Sequence, residues 1–244
     1  MYDFASFSSG EALQCAAELR ELGQGAKSME EVARRIADYF YTSFIDSETG
    51  EPSAVAVRLS LTQDYDNLPP DLQACALTEL GGQRKSGRLR CLVALGIRGQ
   101  RPELNDRRNA GQYRAIPLVS EEAVKQIPMT GLLIKQLGLE INTVLAPDPS
   151  LLLDLSKHTY NVFYVADLTD FPFEPPPDDL ALAEGAKSIV GFGGILPTGD
   201  LFSFILFSRQ LIPRQAADLF EPLALSVKSV LLPFTGRVFD EPAS

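Results

Sequence analysis

The sequence predicts an α+β domain, on three observations. Near the start, two segments carry apolar residues at helical spacing. One segment further on, Ser53 to Gln63, alternates with a period of two, as half-buried strands do. Between Ser188 and Arg209, the stretch "SIVGFGGILPTGDLFSFILFSR" reads as strand, turn and strand. It leads through Pro213 into an apolar-faced helix.

Taken in order, the opening to about Gly10 is polar and aromatic and reads as loosely structured. "EALQCAAELRELG" places Leu13, Ala16, Ala17 and Leu19 at helical spacing, with Gly23 as its stop. "SMEEVARRIADYFYTSF" is the clearest helix: Ser28 and Glu31 form a capping box, and Val32, Ile36, Tyr39 and Phe40 make one face. "SAVAVRLSLTQ" (Ser53 to Gln63) is a strand, "NLPPDLQACALTEL" a short helix after two prolines, and "RLRCLVALGI" (Arg88 to Ile97) a second strand. A polar, basic-rich loop follows and ends in the apolar "IPL". Ser120 to Leu145 reads as helix broken near Pro128, and "PDPSLLLDLSKH" fits no single class. "TYNVFYVADL" (Thr159 to Leu168) is β-rich, and "TDFPFEPPPDDLALAEG" is a proline-rich acidic loop that covers something or hangs free. The last helix runs from Pro213 to Leu232, and Pro222 either kinks it or shifts its start.

Composition narrows the function. Apolar residues make up 45% of the 244 and charged residues 22%, enough for a proper core. A formal charge of −10 disfavours nucleic acid and anionic membrane surfaces as partners. No apolar run approaches the roughly 20 residues that span a bilayer. The N-terminus lacks the basic start and apolar core of a signal peptide, so a cytoplasmic location is expected. Cys15, Cys75 and Cys91 are odd in number and widely spaced, which gives no disulfide framework and no metal site.

Gly191, Gly193 and Gly194 invite a phosphate-loop reading. Such a loop needs a helix after its glycines, or a Gly-Lys-Ser/Thr ending, and here a second strand follows the turn "PTGD". The glycines instead permit a bulge, or a close approach of something over the sheet.

The hairpin followed by Pro213 and a long helix resembles the C-terminal half of a GAF domain. The helix "SMEEVARRIADYFYTSF", the strands "SAVAVRLSL" and "RLRCLVALG", and "AIPL" resemble its N-terminal half. The resemblance spans roughly Ser28 to Leu232. It divides the chain into an N-terminal helical extension (1–27), a GAF-like domain (28–235) with an insertion around 120–185, and a polar tail or linker (236–244). It implies a central six-stranded antiparallel sheet flanked by helices, with a small-molecule cavity on one face and dimerising helices on the other. The chain is also similar to the N-terminal sensory regions of bacterial signalling proteins, in which kinase or PAS-type output domains follow.

Candidate ligand-binding residues are Arg58, His158, Tyr160, Asn161, Phe163, Phe192, Phe202 and Phe204. Arg58 is the one charge inside an apolar strand, and either anchors an acidic ligand or faces water. His158 is the only histidine, and serves either as a ligand or base, or as a polar strand-end residue. Strand residues of one parity share a face, so Asn161, Phe163 and the three later phenylalanines cannot all line one pocket. Arg101, Arg107, Arg108 and Arg114 form a basic loop that meets a phosphate or an acidic partner, or is merely solvated. No catalytic set accompanies these residues: His158 has no Gly-x-Ser-x-Gly elbow beside it. Cys91 is followed by Leu92 and not by the histidine of bilin-binding GAF domains, and the cyclic-nucleotide pattern of the family is missing. The expectation is a non-catalytic sensory or regulatory module that binds an unidentified small ligand and signals as a helix-mediated homodimer. A ligand-free interaction scaffold is the alternative, and a thiol-dependent, reductase-like enzyme a remote one. No cofactor is indicated.

Overall fold

The structure, a computed structural model, describes residues 1–84, 87–100, 105–109, 114–158, 161–170 and 185–240. Most of the proline-rich acidic segment at 169–185 lies outside them. Six strands form one sheet: β1 (Ala54–Asp64), β2 (Arg90–Gly99), β3 (Ala115–Leu118), β4 (Phe163–Val165), β5 (Ser188–Ile195) and β6 (Leu201–Ser208). Their order is β3-β2-β1-β6-β5-β4, with every neighbouring pair antiparallel. This is the α+β architecture expected, a central antiparallel sheet flanked by helices.

The helices divide between its two faces. On the first face lie α1 (Ser9–Glu21), α2 (Met29–Ser43), α3 (Pro70–Glu79), α8 (Arg214–Asp218) and α9 (Glu221–Leu231). Toward the second face lie four short helices, α4 (Glu121–Lys125), α5 (Pro128–Gln136), α6 (Ile141–Leu145) and α7 (Leu152–Lys157). Alternation along β6 makes the split visible: Phe202, Phe204 and Leu206 join the first core, and Leu201, Ile205 and Phe207 the second.

The first core is aromatic. Phe204 packs on Phe40 of α2 at 4.3 Å and on Phe192 of β5 at 4.6 Å, measured between ring centroids. Phe4 and Phe44 stack at 4.8 Å, and Phe220 contacts both. Fully burying each ring is worth about 1.5–3 kcal/mol. The N-terminal residues expected to be loose are therefore structural. Tyr2, Phe4 and Phe7 are buried, and Tyr2 joins the end of α2 through its amide to Ser43 O and its carbonyl to Ile45 N. The polar residues between these aromatics hid their role.

Local signals account for the helix ends. The complete capping box belongs to α1: Ser8 Oγ accepts from Glu11 N and Glu11 returns to Ser8 N. At α2 the box closes one way only. Ser28 Oγ accepts from Glu31 N at 2.9 Å, while the Glu31 carboxylate takes Lys27 N and the Arg35 guanidinium. Gly96 lets α2 lie flush on β2, since a Cβ there would fall 2.2 Å from Ala33 O. Pro222 sits in the first turn of α9, so it starts a new helix and kinks none. Pro128 likewise opens α5.

Beyond the last strand the chain returns to α2. Arg237 O and Val238 O accept from Met29 N and Glu30 N, Ser28 Oγ donates to Asp240, and Arg34 pairs with Asp240 at 2.7 Å.

Candidate functional site

The expected ligand-binding residues do not form one cluster. Phe192, Phe202 and Phe204 belong to the first core, and Phe163 to the second. Phe192 and Phe204 are locked in ring contacts with α2 and α9, so they are filler on the helix face. This corrects the assignment of both to a ligand cavity. The cause is parity, which groups residues by face but does not say which face the long helices cover. Phe163 pairs with Gly191 across β4 and β5. Asn161 is exposed, and Tyr160 lies outside the described residues.

Arg58 is half-buried on the second face, with Ile97 and Ile205 as its cross-strand neighbours. Next to it, four small residues stand in register across four strands: Ala94, Ser60, Ser203 and Gly193. Gly193 answers the question its sequence raised. A Cβ there would meet Leu137 Cδ1 at 2.9 Å and Phe202 O at 2.7 Å, so α5 approaches the sheet closely at that point. Ser60 and Ser203 oppose each other directly and are 6% and 2% exposed. Neither hydroxyl has a hydrogen-bond partner among the described residues. Both hydroxyls stand beside the Arg58 guanidinium on this floor.

A separate cavity of about 370 Å³ opens at the end of the β5–β6 hairpin, between the last turn of α7 and α9. It brings together His158 and Phe202 of the expected set, and adds Lys157 and Lys228. Lys228 is buried, donates from Nζ to Ser156 O, and has its pKa lowered by burial. His158 and Lys157 stand exposed at its mouth. The pattern around Lys228, "LSVKSVL", reads as an ordinary helix face, and only the fold reveals that its lysine points inward.

The buried charge of the sheet is Arg90, which sequence reading missed in favour of Arg58. Arg90 is 2% exposed and donates to Val144 O at 3.1 Å, Gly199 O at 3.0 Å, Thr62 Oγ1 at 2.8 Å and the Asp200 carboxylate. Burial pushes the Asp200 carboxyl up, with Arg90 opposing it. The pair ties β2, α6 and the hairpin turn together. Arg90 stands at the start of its strand, where a charge usually means an exposed end.

Two arginines of the basic loop are paired with carboxylates of this chain. Arg107 pairs with Glu30 at 2.6 Å and Asp71 at 2.8 Å, and Arg108 with Asp106 at 3.0 Å. Arg114 donates to Arg108 O, and Arg101 lies outside the described residues. A mixed-charge cavity of about 730 Å³ beside them is lined by three arginines and four carboxylates.

The thiols are core groups. Cys15, Cys75 and Cys91 are buried, and burial pushes the Cys15 and Cys91 thiols up to about 12. Among the described residues no group of three or more His, Cys, Asp or Glu could hold a metal ion, and no helix is long and apolar enough to cross a membrane.

No family model matches the sequence, and no curated protein matches it. Among solved structures the chain is similar to the GAF domain of a phosphoenolpyruvate-protein phosphotransferase from Coxiella burnetii. That likeness has 10% identity and a TM-score of 0.48, covering 92% of this chain and 95% of that one. An N-acylhomoserine lactone dependent LuxR family transcription factor from Burkholderia cenocepacia gives 12% and 0.44, over 92% and 95%. The phycoerythrobilin-bound GAF domain of a cyanobacterial phytochrome gives 10% and 0.36, over 94% and 99%. Identities this low say nothing of a shared ligand. The fold assignment stands on the sheet itself, with its six antiparallel strands and its β5–β6 hairpin running into α8 and α9 on the first face. On that ground this chain has an α+β fold, a six-stranded antiparallel sheet between two layers of helices.

Proposed function

We propose that the chain is a non-catalytic sensory or regulatory module that holds a small ligand on the second face of its sheet. The observation that carries this is the row of small residues on that face, with the Ser60 and Ser203 hydroxyls opposed across β1 and β6 and Arg58 beside them. A ligand held there accepts from Arg58 and exchanges hydrogen bonds with the two hydroxyls. The short helices α4 to α7 cover that face, and segments of five to nine residues shift more easily than the packed helices opposite. In this reading the ligand biases their packing, and α1 and α9 pass the change to a second copy or to an attached kinase or PAS-type output domain, in the cytoplasm.

The scaffold reading has less support, because Leu225 is the one exposed large apolar residue of α9. The thiol-dependent reading has less still: thiols raised to about 12 supply almost no thiolate at neutral pH. Native mass spectrometry of the purified protein, with an absorption spectrum of the same sample, tests the proposal. A dimer carrying an added mass or a visible band is the expected result. A bare monomer, unchanged in the presence of a metabolite library, would sink it.

A further inference from the structure

The second inference concerns the other cavity and does not depend on the second face. In a chain of net charge −10, the wall of the 370 Å³ cavity carries Lys157, His158 and Lys228 and, among the described residues, no acidic one. Lys228 is 8% exposed and stands in no ion pair among the described residues. An ammonium has three donors, and Ser156 O takes one. Desolvating a cation without an anion is costly, so such a group signals a missing counter-charge. The remaining wall is largely apolar, with Phe202, Leu225 and Leu232 prominent.

The backbone adds to this. Strand β4 pairs only with Ile189 to Gly191 of β5, which leaves Phe192 to Ile195 without a strand partner on that side among the described residues. Alternate N–H groups of such an edge point outward, and Gly193 and Gly194 of this edge line the cavity with no side chain to shield them. The volume lies at the lower end of the roughly 300–1,000 Å³ usual for ligand pockets.

We propose that this cavity is a second ligand site, taking a small organic carboxylate with an apolar body. The carboxylate pairs with Lys228 inside, His158 and Lys157 draw anions to the mouth, and the apolar body lies against Phe202 and Leu232. One buried ammonium in an apolar wall suits a monoanion. A phosphate dianion needs a denser set of converging donors.

The test is calorimetric titration of the full chain with benzoate, benzamide and inorganic phosphate. Benzoate is expected to bind at one site per chain, with benzamide and phosphate each weaker by about tenfold or more. Lys228→Met should weaken benzoate by roughly ten- to a hundredfold, as loss of a charge-assisted bond does. His158→Gln changes an exposed residue and leaves the fold intact, and should weaken benzoate by about twofold at low salt, fading at high salt. Leu225→Trp, also at an exposed position, should block the mouth and abolish binding even if Lys228→Met fails to fold. Equal affinity for benzoate and benzamide, equal affinity for phosphate, undiminished binding by Lys228→Met or Leu225→Trp, or no saturable benzoate binding would each overturn the proposal.

Discussion

The two faces of the sheet are built on opposite plans. The first face meets long helices through the interlocking rings of Phe4, Phe40, Phe44, Phe192, Phe204 and Phe220. The second face meets helices of five to nine residues across a row of small side chains, with two hydroxyls and a guanidinium among them. A close-packed aromatic face transmits displacement because it cannot absorb it. A floor of small residues interlocks less with what covers it. The difference teaches where in one sheet stability resides and where binding can be accommodated without loss of the fold.

The comparison is broken most easily from the aromatic side. Phe40→Ala removes the ring that touches Phe44, Phe192, Phe204 and Phe220. It should cost about 3–5 kcal/mol in urea unfolding. A loss below about 1 kcal/mol would mean that this face is loosely packed and that the contrast is false. Arg90→Met should cost about 3–5 kcal/mol, because it strands the buried Asp200 carboxylate and two carbonyls. Its cost should shrink on acidification, as Asp200, whose pKa is already raised, takes up a proton. A cost independent of pH would contradict the ion-pair account.

Gly96→Ala should cost about 1–3 kcal/mol, since the new methyl meets the backbone of α2 at Ala33. Thermal unfolding measures it, and a neutral result would show that α2 lifts freely from the sheet. The smallest effect is electrostatic. The Glu18 carboxylate accepts from Tyr39 at 2.6 Å, Gln14 at 2.8 Å and Tyr2 at 3.1 Å, and these bonds hold its pKa below the usual 4.5. A depressed folded value stabilises the protein above pH 4.5, and that stability is lost as the pH falls through the folded value. Glu18→Gln should therefore lower the melting temperature slightly at pH 7 and converge with the parent in acid. A difference that grows toward acid would reverse the sign.

Much of the architecture is legible in the sequence. The alternation of Val57, Leu59 and Leu61, the tight turn after Ile195 and the proline that opens α9 are local signals, and local physics fixes them. What is illegible depends on distant partners. Tyr2 and Phe4 look like tail residues until Phe44 and Phe220 surround them. Arg90 looks like a strand-end charge, because its partner Asp200 lies 110 residues away. Of the expected site, Arg58 and Phe163 fall on the second face and His158 at a cavity by the end of the β5–β6 hairpin, between α7 and α9. Parity sorts such residues into two sets, and only the packed helices say which set is sealed.

Ser203→Ala, followed by urea unfolding, tests the central claim that the hydroxyls of the second face serve a ligand and not the fold. An unpaired hydroxyl contributes nothing to the fold, so stability should stay within about 0.5 kcal/mol of the parent or rise. A loss of more than about 1 kcal/mol would show that the hydroxyl is already bonded within the folded chain, and would remove the ground for a ligand there.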